Sequence, residues 1–271
     1  MFNATHFTYD GVYSGVYGLM IADFDDSGTT ETAAFSPVLH TIKPATLNRF
    51  FHTGITYDEL PQHQFSILSE TPIPDVTRRE ILSWLVARDS FKVLQIHQPD
   101  LEDYYYRCVF TDVQIIFVNG HCCGFRLTAN FDSPYQYGRP TGFSDKVISG
   151  TEEVTIINNS DVHGYVFPKV VFQSSTGLES DALPGNTPLS IIKITNLTDS
   201  TNRVFEFVNL YANETVTVDN EMRYIKSDRN GEKLSNFNKN WLRLRPGKNV
   251  LKIETNGTVS ITCPTYIMMG F

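Results

Sequence analysis

The dipeptide Asn119-Gly120, set between two β-rich runs, constrains the fold of this chain most strongly. Asn-Gly is a preferred pair for the two-residue type I′ turn that joins antiparallel strands. The run before it, DVQIIFV, is rich in β-branched and aromatic residues. The run after it alternates, so that one side of the strand carries Cys123, Phe125, Leu127, Ala129 and Phe131. The sequence therefore predicts a β-hairpin with one buried face.

One short helix is predicted at about residues 78–88, within VTRREILSWLVARD. Thr77 and Glu80 have the spacing of a capping box, in which each side chain accepts a hydrogen bond from the backbone amide of the other residue. Spacings of i, i+3 and i+4 place three apolar residues on one helix face: Ile81, Trp84 and Leu85. We expect this face to lie on a sheet, with Trp84 in the core.

A change of composition divides the chain. The segment DSPYQYGRPTGFSD contains two prolines and two glycines and shows no hydrophobic periodicity. These features are typical of a linker, so we predict an N-terminal domain at 1–132, a linker at 133–145 and a C-terminal domain at 146–271. The C-terminal part contains short β-rich runs separated by Gly, Pro, Asn and Asp, which is the pattern of a β-sandwich. The predicted fold class is all-β with one short helix.

The charge balance argues against several kinds of partner. With 22 Lys and Arg against 30 Asp and Glu, the net charge is −8, whereas a general nucleic-acid binder needs a basic domain. No window approaches the roughly 18 apolar residues of a membrane span. The start, MFNATHFTYD, has neither the basic nor the apolar region of a secretory signal peptide. We therefore expect no specific nucleic-acid binding and no membrane insertion.

The sequence contains no convincing motif for catalysis or for a metal or cofactor. Seven scattered histidines lack metal-ligand spacing, and nucleophile elbows, phosphate-binding loops and dinucleotide fingerprints are absent. DFDDSG, residues 23–28, resembles half of a calcium loop, but Ala34 stands at the twelfth position, so we interpret it as a polar turn. The cysteines form no CxxC pair and are expected to be small buried residues: Cys108, Cys122, Cys123 and Cys263. We predict no catalytic residues, no metal and no cofactor.

WLRLRPGKNVLKI, residues 241–253, concentrates positive charge in an acidic chain. Pro246-Gly247 suits the centre of a type II turn, which predicts a hairpin of WLRLR and NVLKIET, followed by a second turn at Asn256-Gly257. Strand alternation places the basic residues on the solvent face: Arg243, Arg245, Lys248 and Lys252. Residues 223–252 hold nine basic and two acidic residues, net +7, which leaves −15 for the rest. This asymmetry favours contacts between protein copies or partners, so the basic face is our candidate interface with acidic protein surface.

Four stretches, taken in chain order, carry a resemblance to a known family: FTYDGVYSGVYGLMI, RREILSWLVARDSFKVL, HCCGFRLTANFDSPYQYG and WLRLRPGKNVLKIETNGTVSI. They are similar to an aromatic N-terminal segment, a helix-then-strand block, an end-of-domain strand with an aromatic linker, and a C-terminal hairpin. In this order they resemble the distal tail proteins (Dit) of long-tailed siphophages. The resemblance covers nearly the whole chain.

The resemblance implies an N-terminal β-sandwich with one helix that assembles into a homo-hexameric ring, and a C-terminal galectin-like β-sandwich. Such a ring is the structural hub of the tail tip, where it joins the tail-tube protein to the tail-associated lysin or fibre protein and, in many phages, carries receptor-binding proteins. The chain has no long irregular insertion and resembles the short form of the family. The implied location is the virion tail tip, after synthesis and assembly in the cytoplasm of the bacterial host. The galectin sugar-binding signature is not matched near His163 or Trp241, so no galectin-type lactose site is expected.

An alternative interpretation is a cell-wall polysaccharide-binding β-sandwich module that uses exposed tyrosines for stacking: Tyr104, Tyr135 and Tyr137. Three consecutive tyrosines, Tyr104–Tyr106, cannot share a strand face, so at least one is expected to point into the core. An enzyme such as a depolymerase would need a carboxylate pair, and spacing alone nominates none. We therefore expect a non-enzyme.

Overall fold

The computed structural model describes most of the chain, namely residues 6–22, 35–57, 59–175, 190–229 and 233–270. Backbone contacts divide the chain into two compact units: unit 1 is Met1–Tyr137 with Met268–Phe271, and unit 2 is Gly138–Ile267. Over the described ranges the chain consists mainly of β-strands, with a single α-helix. The predicted all-β class with one short helix is confirmed.

Unit 1 contains a seven-stranded antiparallel sheet, a separate hairpin and the helix. Its strands are β1 (Phe7–Tyr9), β2 (Val12–Tyr13), β3 (Leu19–Ile21), β4 (Val38–Ile42), β5 (Phe51–Thr56), β6 (Gln62–Ser69), β7 (Lys92–Ile96), β8 (Tyr106–Val118) and β9 (His121–Phe131). The sheet has the order β2-β1-β7-β8-β9-β6-β3, while β4 and β5 form a two-stranded sheet of their own. Short 3-10 turns lie at Ser14–Tyr17 and Pro99–Leu101.

The hairpin predicted from Asn119-Gly120 is confirmed, since β8 pairs with β9 and the two turn residues have φ of 50° and 81°. A type I′ turn requires these positive values at both central residues. One predicted core residue is wrong, because a register shift near the turn leaves Cys123 without an opposite residue. Cys122 is buried instead. The rest of the predicted face is buried: Phe125, Leu127, Ala129 and Phe131.

The helix α1 spans Asp75–Val86, so it begins and ends slightly earlier than predicted. The predicted capping box is wrong, because Thr77 lies inside the first turn and Pro74 occupies the N-cap without a side-chain hydrogen bond. Asp75 lies in the first turn, where the helix dipole favours a carboxylate, and pairs with Arg78 at 3.0 Å. The predicted apolar face is confirmed, since its members are buried: Ile81, Trp84 and Leu85.

Trp84 lies in the core of unit 1, as predicted. Its ring stacks on Phe7 with centroids 5.8 Å apart. The indole N–H donates to the carbonyl oxygen of Tyr9 at 2.9 Å, so the polar atom of this buried side chain has a partner. The helix is therefore held to the first strand of the sheet by packing and by a hydrogen bond.

The strands of the second half of the chain are β10 (Tyr135–Asn158), β11 (Lys169–Ser174), β12 (Ser190–Asn196), β13 (Val204–Leu210), β14 (Thr215–Asp219), β15 (Tyr224–Ser227) and β16 (Gly247–Met268). They follow the order β13-β12-β16-β11-β14-β15, with β10 pairing with β16. A 3-10 turn lies at Leu234–Asn236. The inward-facing side chains of these strands form a second hydrophobic core, separate from that of unit 1.

The segment predicted as a linker, 133–145, has regular structure, because all but its first two residues belong to β10. The boundary between the units falls inside it, between Tyr137 and Gly138. Its glycines do not mark an irregular segment. A Cβ at Gly142 would collide with the carbonyl oxygen of Ile261, so this glycine permits a close approach of β10 to β16.

The hairpin predicted in WLRLRPGKNVLKIET is wrong in two respects. First, the only ladder contact described in 241–246 is made by Leu244, which bridges to Val166 and not to β16. Second, β16 continues through Asn256-Gly257, which was predicted as a turn, and pairs there with β11. A Cβ at Gly257 would collide with the carbonyl oxygen of Gln173. This glycine therefore marks two closely packed strands rather than a reversal of the chain.

Candidate interaction surfaces

The segment from Trp241 to Asn249 carries three of the four candidate basic residues and ends in a turn that Asn249 holds. Gly247 has φ of 81°, as a type II turn requires of its second central residue. The buried Asn249 side chain accepts a hydrogen bond from the Arg245 amide at 3.0 Å. Its Nδ2 donates to the carbonyl oxygens of Arg245 and Gly247 at 2.8 and 2.9 Å. These bonds fix the backbone on which Arg245 is presented.

Arg243 is used inside unit 2, so its prediction as a solvent-face residue is wrong. Its Nε lies 2.8 Å from Oδ2 of the buried Asp199. Its Nη2 donates to the hydroxyl of Thr201 at 3.1 Å, and its guanidinium lies 3.9 Å from the ring centroid of Tyr165. The hydrogen bond from Arg243 holds the pKa of Asp199 below its usual value. Strand alternation predicted which face of the strand carries Arg243, but it did not predict that the loop containing Asp199 and Thr201 contacts this side chain.

The other candidate residues do not form one continuous basic face. Lys252 pairs with Glu254 on the same side of β16. Arg245 is exposed, and its Nη1 donates to the carbonyl oxygen of Thr198 at 2.9 Å. Lys248 is exposed in the turn. The structure therefore keeps Arg245 and Lys248 together at one turn, and their use as an interface stays a prediction.

A second charged cluster from the same basic window is buried. Lys233 Nζ lies 2.7 Å from Glu214 Oε1, and the two side chains are 8% and 0% exposed. Glu214 also accepts hydrogen bonds from the Ser227 hydroxyl at 2.5 Å and the Tyr211 amide at 3.0 Å. Burial alone would raise the pKa of Glu214, but the bonds from Lys233, Ser227 and Tyr211 outweigh it and hold this pKa below its usual value. This lysine therefore supports the fold and is not offered to a partner.

One candidate tyrosine of the polysaccharide-binding alternative, Tyr137, is occupied by contacts within unit 1. Tyr106 is buried, as expected for one of three consecutive tyrosines. The ring of Tyr137 stacks on Tyr105 with centroids 5.2 Å apart, and its hydroxyl donates to Asp132 at 2.8 Å. A ring covered in this way offers little free face to a sugar. The candidate tyrosines are each partly buried: Tyr104, Tyr135 and Tyr137.

The remaining predicted features are metal sites, membrane spans, the calcium-like segment and the cysteines. Within the described ranges, no three His, Cys, Asp or Glu side chains lie close enough together to hold a metal ion. In the same part of the chain, no helix has the length and apolarity needed to cross a membrane. The segment 23–28 lies outside the described residues. Burial is confirmed for three cysteines, whereas Cys123 is partly exposed.

One exposed surface was missed by sequence reasoning: the β4–β5 hairpin, Val38–Thr56. Its strand residues are all exposed or partly exposed. Its large apolar side chains are 40–65% exposed: Val38, Leu39, Ile42, Leu47, Phe50, Phe51 and Ile55. The sequence does contain a pattern that indicates this surface, because residues 35–57 combine many apolar residues with Lys43 and Arg49 and contain no acidic residue.

Comparison with sequence families matches almost the whole chain. The family of the phage tail protein N-terminal domain matches residues 2–133, and that of the phage tail C-terminal domain matches residues 135–263. Each half of the chain thus belongs to a family of phage tail domains. No curated protein sequence matches this phage tail protein.

Solved structures share the fold of this phage tail protein. The Dit protein of phage SPP1, described as a paradigm of the hub adsorption apparatus in phages infecting Gram-positive bacteria, superposes with a TM-score of 0.67 at 14% identity, covering 97% of this chain and 99% of its own. A chain of the phage P2 baseplate, in its activated conformation with calcium, gives 0.52 at 8% identity, covering 96% and 97%. The same values are found for that baseplate with strontium. The two-domain β-sandwich fold and the predicted resemblance to distal tail proteins are confirmed.

Proposed function

We propose that this phage tail protein is the structural hub of a siphophage tail tip. Six copies form a ring that joins the tail-tube protein to the tail-associated lysin or fibre protein. The observation that carries the proposal is the end-to-end correspondence with the Dit protein of SPP1, which covers 97% of this chain and 99% of that one. The match of two phage tail domain families to the two halves of the chain supports it.

The proposed mechanism is geometric and involves no catalysis. Each copy contacts the next through two different surfaces, and six such head-to-tail contacts close into a ring. The N-terminal domain, 1–132, forms the ring, and the C-terminal domain, 146–271, offers surfaces for peripheral proteins, including receptor-binding proteins. Assembly takes place in the host cytoplasm, and the finished ring is part of the virion tail tip.

Charge is distributed unevenly between the two units, which supports different roles for them. Unit 1 has eight basic and sixteen acidic residues, net −8, whereas unit 2 has fourteen of each. The exposed Arg245 and Lys248 belong to unit 2, and we propose that they contact acidic protein surface in the tail tip. Reversing both charges to Glu should weaken attachment of a neighbouring tail-tip protein and leave the ring intact.

Negative-stain electron microscopy and native mass spectrometry of the purified protein test the ring. We expect a six-fold particle with six outer lobes and six times the mass of one chain. A protein that stays monomeric at tens of micromolar, both alone and mixed with the tail-tube protein of the same phage, would contradict the proposal.

A further inference from the structure

Within the part of the chain that the structure describes, the β4–β5 hairpin lacks the support that a two-stranded sheet normally needs. An isolated hairpin is at best marginally stable in water, and further strands or a packed face are required to stabilise it. β4 and β5 pair with each other and belong to neither of the two seven-stranded sheets of the described chain. None of their residues is classed as buried. Residues 6–22, 35–57, 59–175, 190–229 and 233–270 of one copy therefore leave both strands of the hairpin without a covering surface.

Both faces of the β4–β5 hairpin are apolar. Leu39 lies opposite Ile55 on one face. Ile42 lies opposite Phe51 in a pair on the other face, since the alternation of β4 separates positions 39 and 42. A hairpin lying on a single surface would need only one apolar face. Two apolar faces indicate insertion into a partner that contacts the hairpin on both sides.

Charge indicates which partner fits the hairpin. Residues 35–57 contain Lys43 and Arg49 and no acidic residue. These two cations lie over Phe50 and Phe51, 5.5 and 5.4 Å from the ring centroids, so charge and apolar surface coincide. The rest of unit 1 holds six basic and sixteen acidic residues, net −10. The complement of this cationic, apolar hairpin is thus present on the same unit of another copy.

We infer that the β4–β5 hairpin is the docking element by which one copy inserts into unit 1 of the next copy. This inference rests on the proposed ring and identifies one of its two head-to-tail surfaces. The hairpin is the donor surface, and acidic, partly apolar surface of the neighbour's unit 1 is the acceptor.

Two double variants test the two faces of the hairpin separately. Leu39→Thr with Ile55→Thr removes the apolar pair of one face, and Ile42→Thr with Phe51→Thr removes that of the other. Threonine is β-branched and common in strands, so the strands themselves remain favoured. We expect each double variant to raise the protein concentration at half-assembly by about tenfold or more, since central apolar contacts dominate interface energies.

The matched control is Val147→Thr, which makes the same kind of change at a side chain that is 75% exposed in unit 2. It should assemble like the wild type. Circular dichroism and sedimentation velocity establish that each variant is folded and measure its assembly. Lys43→Glu with Arg49→Glu tests the charge argument and should weaken assembly most at low ionic strength.

Cross-linking identifies the acceptor surface. A photo-reactive residue in place of Phe50, in copies mixed with isotope-labelled wild type, should cross-link to unit 1 peptides of the labelled copy. If the wild type forms rings and both double variants do so equally well, the hairpin inference is wrong while the ring proposal stands. Cross-links only to unit 2, or variants that keep the ring but lose the tail-tube protein, also overturn the inference. A wild type that never assembles, even with the tail-tube protein, overturns the ring proposal, and cross-links between its copies would then be absent.

Discussion

The buried pair of Lys233 and Glu214 allows a sharp test of how unit 2 is stabilised. Lys233→Met removes the ammonium and keeps an unbranched side chain of similar length. The Glu214 carboxylate, fully buried, then loses the cation at 2.7 Å. The bonds from Ser227 and the Tyr211 amide remain. The variant therefore isolates the contribution of the buried cation.

Breaking a buried ion pair by removing one partner costs about 3–5 kcal/mol. Two hydrogen bonds still stabilise the carboxylate of Glu214, so we expect the lower end, about 3 kcal/mol at pH 7. In the wild type the folded-state pKa of Glu214 is below its unfolded value, so this group adds stability above the unfolded pKa and loses it as the pH falls through the folded pKa. Without Lys233, the largest of the bonds that lower this pKa is lost, so burial moves the pKa upward relative to the wild type. The destabilisation should therefore be smaller at about pH 4, near the ordinary pKa of a glutamic acid, than at pH 7.

The assay must report on unit 2 alone, because two units need not unfold together. Hydrogen exchange of peptides from β14 and β15, followed against guanidinium concentration, gives the local free energy of unfolding. Lys226→Met, at an exposed lysine of β15, is the matched control and should change it by less than about 0.5 kcal/mol. A loss below about 1 kcal/mol at pH 7, or an equal loss at both pH values, would show that the buried cation is not what stabilises Glu214.

Two further changes test packing and charge in unit 2. Gly257→Ala should destabilise unit 2 by about 1–3 kcal/mol, because the new Cβ meets the Gln173 carbonyl oxygen. Gly54→Ala should not destabilise the protein, because a Cβ there has no neighbouring atom within 4 Å. Equal unfolding midpoints of the two variants would contradict this prediction. Arg243→Ala should cost roughly 2 kcal/mol, because the bond to the buried Asp199 and the contact with the Tyr165 ring are lost, and Lys248→Ala less than about 0.5 kcal/mol. Thermal unfolding measures both, and similar effects of the two changes would refute the assignment of Arg243 to the fold.

The sequence was most informative where one local pattern and one buried face determine the outcome. A type I′ turn requires positive φ at both central residues, and Asn119-Gly120 suits this requirement. The alternating apolar residues after the turn place one face of the strand on a core, so the β8–β9 hairpin could be predicted. The helix face around Trp84 followed from spacing in the same way. The helix start did not follow, because Thr77 has the chemistry of a cap but the chain enters the helix directly after Pro74.

Prediction from turn-forming residues failed where pairing with a distant strand determines the backbone conformation. Asn256-Gly257 would suit a turn, yet β16 runs straight through it because β11, more than 80 residues earlier, pairs on that stretch. Likewise, the alternation in WLRLR gave the buried leucines, but Asp199 lies 44 residues away from Arg243 in sequence. The partner of a charged side chain depends on such long-range contacts, and one sequence does not show them.

The β4–β5 hairpin shows a different limit of sequence reasoning. Predictions from the pattern of apolar and polar residues assume that apolar residues are buried by the chain that carries them. In residues 35–57 apolar residues occur on both strand faces without a core of their own, and the two charges present are both positive. Such a hairpin is poorly stabilised alone, and exposed apolar residues on both faces are typical of a protein–protein contact. The proposed docking of the hairpin into another copy would account for this pattern, which apolar and polar patterning within one chain does not explain.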